Sequence, residues 1–181
     1  METSGTFTIT TSKEHVDTIK ELFKIVSSVL DRTYYDSFSS TDSKNGCFEI
    51  SSDYCMGVNA IEYVNAISYI LTKNEITDIS FELKGTVDLD YGSHEVFIIN
   101  FDGVTATIRD THFEVEEDFC DEDCFMDDSY DNIEALWDAE AKAFKRLKEM
   151  TPVPLTAHGL AGTVNEIDMS KLDCIKLESN T

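Results

Sequence analysis

Glu114, Glu116 and Asp118 stand two residues apart, as do Asp88 and Asp90. In an extended strand that spacing sets carboxylates on one side, about 6.6 to 6.8 Å from one another. Duplex DNA carries about one negative charge per 1.7 Å of axis over its two strands, so such rows offer a basic groove a charge density of the same order. Neighbours that close lie inside the roughly 8 Å screening length of physiological salt and act as a unit. The chemistry on offer is non-covalent: an anionic array for the Arg and Lys side chains of a partner. The rows belong to a wider field. Between Gly85 and Ala141 the chain has eighteen Asp and Glu against a single basic residue, Arg109, a surplus of 17 negatives in 57 residues. The remainder is nearly balanced, at 18 acids against 13 Lys and Arg.

The residues expected to face a partner begin with Asp110, Glu114, Glu116, Glu117 and Asp118 and continue with Asp121, Glu122, Asp123, Asp127, Asp128 and Asp131. Phe119, Phe125 and Tyr130 are interleaved with them. Aromatic anchors inside a charge run fit a segment that docks better than they fit a merely solubilising loop, the ordinary reading of acidic runs. A calcium site fits the spacing poorly: counted from Asp127, the turn glycine of an EF-hand is replaced by Asn132 and the twelfth position by Asp138. Cys120 and Cys124 near His112 lack the second pair that a zinc site requires. No cofactor is expected and no metal ligand is assigned; the alternative reading is an acidic protein-binding adaptor or a divalent-metal-binding protein with a non-standard calcium or magnesium site. His15, His94, His112 and His158 sit in unrelated contexts, and no G-x-S-x-G, P-loop or G-x-G-x-x-G occurs. The chain therefore reads as non-enzymatic, with no catalytic residues.

A net charge of −22 argues against direct binding to nucleic acid or to an anionic membrane, since both depend on Lys and Arg displacing counterions. At 41% hydrophobic and 10% aromatic residues, the 181-residue chain is too apolar for a disordered acidic tail. No apolar run reaches the roughly 18 residues of a membrane span, and the start lacks the basic-then-apolar order of a secretory signal, so an intracellular aqueous compartment is expected. Five scattered cysteines without a CxxC pair fit reduced thiols.

Positioning these residues requires an α+β frame. "TFTIT" alternates like a strand, and Thr11 with Glu14 has the form of a capping box opening a helix with Val16, Ile19, Leu22, Phe23, Val26 and Val29 on its stripe. "CFEIS" predicts a second strand, and Ile61, Tyr63, Val64, Ile67, Ile70 and Leu71 a second helix over about 58 to 73. The period then changes to two. "DISFELKGTVDLD", "HEVFIINF" and "VTATIRDTHFEV" predict a three-stranded antiparallel meander whose last turn, Asp102-Gly103, suits type I′. A helix over about 132 to 150, with Ile133, Leu136, Trp137, Phe144 and Leu147 facing the sheet, completes a β-α-β-α, meander, helix order. Residues 1–150 read as one α+β domain, and 151–181 as a C-terminal extension packed on it.

A small acidic α+β chain with clustered carboxylates such as Glu114, Glu116, Glu117, Asp118, Asp121, Glu122, Asp123, Asp127 and Asp128 resembles the nucleic-acid-mimicking inhibitors of phages and mobile elements, the anti-CRISPR and anti-restriction proteins. The resemblance is one of class. It implies a cytoplasmic inhibitor in the host cell, and a basic nucleic-acid-binding partner, a CRISPR effector such as Cas9 or a restriction enzyme, whose positively charged channel the acids would occupy. Because those inhibitors share no single fold, it carries over no catalytic residue.

Overall fold

The two-residue and three-to-four-residue periods resolve into strands and helices in a computed structural model that describes residues 5–29, 46–52, 56–89, 93–115, 129–155 and 169–177. Among these the order is β1 (Gly5–Thr11), α1 (Val16–Val29), β2 (Cys47–Ser52), α2 (Met56–Lys73), β3 (Phe81–Asp88), β4 (Ser93–Phe101), β5 (Ala106–Glu114), α3 (Ser129–Glu149) and β6 (Val153–Pro154), with 3-10 turns at Lys13–His15 and Met169–Leu172. The chain is α+β, and its strands form one antiparallel sheet in the order β2-β1-β3-β4-β5-β6. Since β2 and β3 both run against β1, they run parallel to each other, and α2 carries the chain from one to the other past β1.

Register sorts the side chains. Phe48, Ile9, Leu83, Ile99 and Ile108 stand opposite one another across five strands and are at most 2% exposed. The apolar stripes of α1 and α2, with Ile19, Leu22, Val26, Val64, Ile67 and Leu71 fully buried, pack into this face. Each such side chain contributes about 1.5–3 kcal/mol relative to exposure. On the opposite face Val96 and Ile98 meet Ala143, Phe144 and Leu147 of α3. Both faces of β4 are thus covered, and its near-continuous apolar run "VFII" is explained.

The next row along the first face reads Phe7, Gly85, Phe97, Asp110. Phe7 and Phe97 meet edge to face with centroids 5.5 Å apart, and they do so across the position where Gly85 has no side chain. A Cβ there would lie 2.5 Å from Phe7 Cδ1 and 2.5 Å from Phe97 Cζ. Glycine in mid-strand, ordinarily a weak choice, is required by this aromatic contact.

Three local expectations are corrected. Thr11 and Glu14 form no capping box: Thr11 ends β1 and its hydroxyl donates to the Ser80 carbonyl at 2.7 Å, while Ser12 Oγ pairs with His15 Nδ1 at 2.9 Å. The β4–β5 turn is centred one residue later than Asp102-Gly103. Asp102 pairs with Thr105, and only Gly103, of the central Gly103-Val104, has positive φ (97°), the pattern of type II′ rather than I′. The cause is Asp102 Oδ1, which accepts the Val104 and Thr105 amides at 2.9 and 2.8 Å, and these bonds hold its carboxyl below the ordinary value. Trp137 does not face the sheet; it is 63% exposed. Ten residues at about 100° each put it some 80° round the helix from Leu147, and Glu140, bonded to Thr86, takes the inward place instead.

Residues beyond 150 share the core. Val153–Pro154 pairs with Thr107 and Ile108, and Leu155 and Leu172 are buried with the α1 and α2 side chains. Asp173 anchors this segment: its carboxylate accepts from Lys73 Nζ and, at 2.6 Å, from the Tyr69 hydroxyl. The Lys73 bond first, then the Tyr69 bond, hold its carboxyl below the ordinary value of 3.8.

Gly85→Ala should lower unfolding free energy by about 1–3 kcal/mol in urea titration, the range for overpacking a filled core; an unchanged midpoint would show that the two rings do not close over this position. The Asp173 anchor has a depressed folded-state pKa, so its contribution is complete above the ordinary value near 3.8 and is lost as pH falls through the lower folded-state value. Hydrogen-exchange protection of the Leu177 amide, which donates to Asn74 Oδ1 at 3.0 Å, should fall with acid only below that point, and Asp173→Asn should lower it already at neutral pH.

Candidate functional site

Strand β5 alternates between two environments. Its first half is flanked by β6 at Thr107 and Ile108; from Asp110 to Glu114 no strand lies on its outer side among the described residues. Asp110, His112 and Glu114 share the face that carries Ile108, with Asp110 half-buried and the other two exposed. They continue the core rows outward: Asp110 ends the row of Phe7, Gly85 and Phe97, and His112 ends the row of Gly5, Val87 and Glu95.

Of the residues expected to face a partner, the structure therefore positions Asp110 and Glu114, two turns of the pleat apart on one side of one strand. Glu116, Glu117, Asp118, Phe119, Asp121, Glu122, Asp123, Phe125, Asp127 and Asp128 lie outside the described residues. Tyr130 and Asp131 fall in the first turn of α3, their side chains outside the described set. Cys120 and Cys124 are also outside it, and Cys47 and Cys174 are free thiols.

Sequence spacing missed the neighbour that register supplies. Glu95 on β4 stands directly opposite His112, and one donor atom each from Glu95, Asp110 and His112 lie within 4.8 Å of one another. Glu95 and Asp110 are half-buried and His112 is exposed, so the group opens to solvent on the imidazole side. Only pairing across two strands reveals it, because Glu95 is fifteen or more residues from its companions in sequence. Glu62, which its spacing from Asn59 suggests as a helix-cap partner, instead lies inside α2, which already begins at Met56, and is 8% exposed.

The local cation is directed elsewhere. Arg109 alternates to the opposite face, where its Nε donates to the Met150 carbonyl at 2.8 Å and satisfies the end of α3. Lys84 lies 3.7 Å from the centroid of the Phe144 ring, and Lys142 pairs with Asp138 within α3 at 2.6 Å. His94, 9% exposed, stacks on Phe113 beneath the same helix. Arg109 and Lys84 thus pack with α3, while Glu95, Asp110 and Glu114 lie on the other face. No family model, curated protein or solved structure matches the chain. Among the described residues no helix is long and apolar enough to cross a membrane.

Concentrated like charge destabilises the folded state in a salt-dependent way. Raising NaCl from 0.1 to 1 M shortens the screening length from about 10 to about 3 Å. The melting temperature should rise across that range by about 2 °C or more, the equivalent of roughly 1 kcal/mol for a chain this size; a fall would mean that attractive ion pairs outweigh the repulsion.

Proposed function

We propose that this protein is a non-enzymatic acidic inhibitor that imitates nucleic acid and occupies the basic DNA- or RNA-binding channel of a nuclease effector, of CRISPR type such as Cas9 or of restriction type, in the cytoplasm of a host cell. The observation that carries the reading is the surplus of 17 negatives between residues 85 and 141, joined to a strand that sets Asp110 and Glu114 on one side of an open edge. The frame for it is the β-α-β-α unit followed by the meander and the helix across it.

Binding is competitive and needs no covalent step. Long-range attraction raises the association rate, and specificity follows from matching carboxylates to the arginines that line such channels. Phe119, Phe125 and Tyr130 are assigned to the desolvated part of the contact. Exposed ion pairs contribute only about 0–1 kcal/mol each, so the affinity is spread over many acids. The competing reading, an acidic adaptor for an ordinary basic protein, separates cleanly: added DNA displaces a mimic from its target and leaves an adaptor bound.

Replacing Glu116, Glu117, Asp118, Asp121, Glu122 and Asp123 together by their amides should abolish inhibition of the target nuclease while leaving the circular-dichroism spectrum unchanged. Each single replacement should weaken it by no more than about fivefold, the equivalent of roughly 1 kcal/mol for one exposed pair. Full inhibition by the six-fold variant would take this segment out of the mechanism.

A further inference from the structure

We infer that Glu95, Asp110 and His112 form a binding site for one divalent first-row transition metal ion, zinc before manganese. The inference stands apart from the inhibitor reading, since it concerns three side chains of the folded chain alone. Their donor atoms already lie within 4.8 Å of one another. With metal–ligand bonds of about 2.0–2.2 Å, neighbouring ligands of a tetrahedral ion sit roughly 3.3–3.6 Å apart, so small rotamer changes close the site without moving the strands. Backbone pairing fixes the three Cα positions: Glu95 opposes His112 directly, and Asp110 is two residues along the same face.

The donor set selects the ion. Two carboxylates alone would suit calcium or magnesium, which take six or more oxygens. An imidazole nitrogen shifts the preference to first-row metals, among which affinity for such a site rises from manganese to copper and at zinc stays above that for manganese. Glu95 and Asp110 are half-buried at the margin of the core, where a divalent cation between them would be partly shielded from water. The exposed imidazole leaves the remaining coordination positions facing solvent. Four-coordinate zinc held by three protein ligands keeps one such position for water or for an oxygen ligand supplied from outside.

Isothermal titration of the full chain with zinc chloride, in reductant that does not chelate zinc, should show one equivalent taken up. His112→Gln and Asp110→Asn should each weaken that uptake by tenfold or more, since loss of a direct ligand should cost at least what loss of an outer partner of a ligand does, roughly 10- to 100-fold. Because cysteines also take zinc, a second measurement uses manganese: substoichiometric manganese chloride should broaden the imidazole resonances of His112 before those of the other three histidines. No uptake of zinc, affinity in either variant within tenfold of the parent chain, or manganese broadening centred on another histidine would each overturn the assignment. Circular dichroism of the variants confirms that the sheet is intact, so that a loss of uptake reads on the ligands.

Discussion

Antiparallel pairing of β3, β4 and β5 in a single register is the constraint on which the molecule depends. Strand side chains alternate, so a one-residue slip of β5 would carry Ile108 out of the core and turn Asp110 and His112 toward α3. Covering β4 on both faces leaves little freedom for such a slip: Ile99 is sealed under the α1 and α2 layer, and Val96 and Ile98 under Phe144 and Leu147. Gly85 adds a second lock, because the Phe7 and Phe97 rings close over the only position in their row that lacks a Cβ. The register, once set, leaves the placement of the acids no choice.

Charge and packing divide the sheet between them. The row of Phe48, Ile9, Leu83, Ile99 and Ile108 is apolar from β2 to β5; the next two start from Phe7 and Gly5 on β1 and finish, respectively, with Asp110 and with Glu95 and His112. Carboxylates collect where the helical cover thins, which keeps them hydrated while holding them on rigid backbone. The opposite face resolves its own polarity inwardly, through Arg109 on the Met150 carbonyl, Thr86 with Glu140, and Lys84 over Phe144. One face of β5 therefore carries Arg109, and the other carries Asp110, His112 and Glu114. That division is what makes an electrostatic role for the acidic face physically reasonable.

Much of the frame was legible in the sequence, because periodicity records burial. The helix stripes at Val16 to Val26 and Ile61 to Leu71, and the alternation of the three meander strands, follow directly from which residues the core accepts. Local chemistry was less legible wherever a side chain had a tertiary alternative. Thr11 left its cap for Ser80, Asp102 moved its turn by one residue, and Trp137 fell to the flank of a helix whose inward place Glu140 could fill through Thr86. The two-residue strand β6 carried no periodic signal at all. As for the site, the local surplus of acids pointed to Asp110 and Glu114, but Glu95 belongs with Asp110 and His112 only through pairing, which no linear pattern encodes. His112 was weighed with Cys120 and Cys124, which lie outside the described residues; among those described, the fold gives it two carboxylate neighbours.

Cross-strand backbone Overhauser effects in a uniformly labelled sample address the register most directly. The account predicts contacts that link Glu95 with His112 and Phe97 with Asp110, together with those between Ile99 and Ile108. An Hα–Hα contact of Glu95 with Thr111 or Phe113 in place of His112 would contradict it, for it would put Asp110 and His112 on the α3 side and dissolve both the acidic face and the three-residue site.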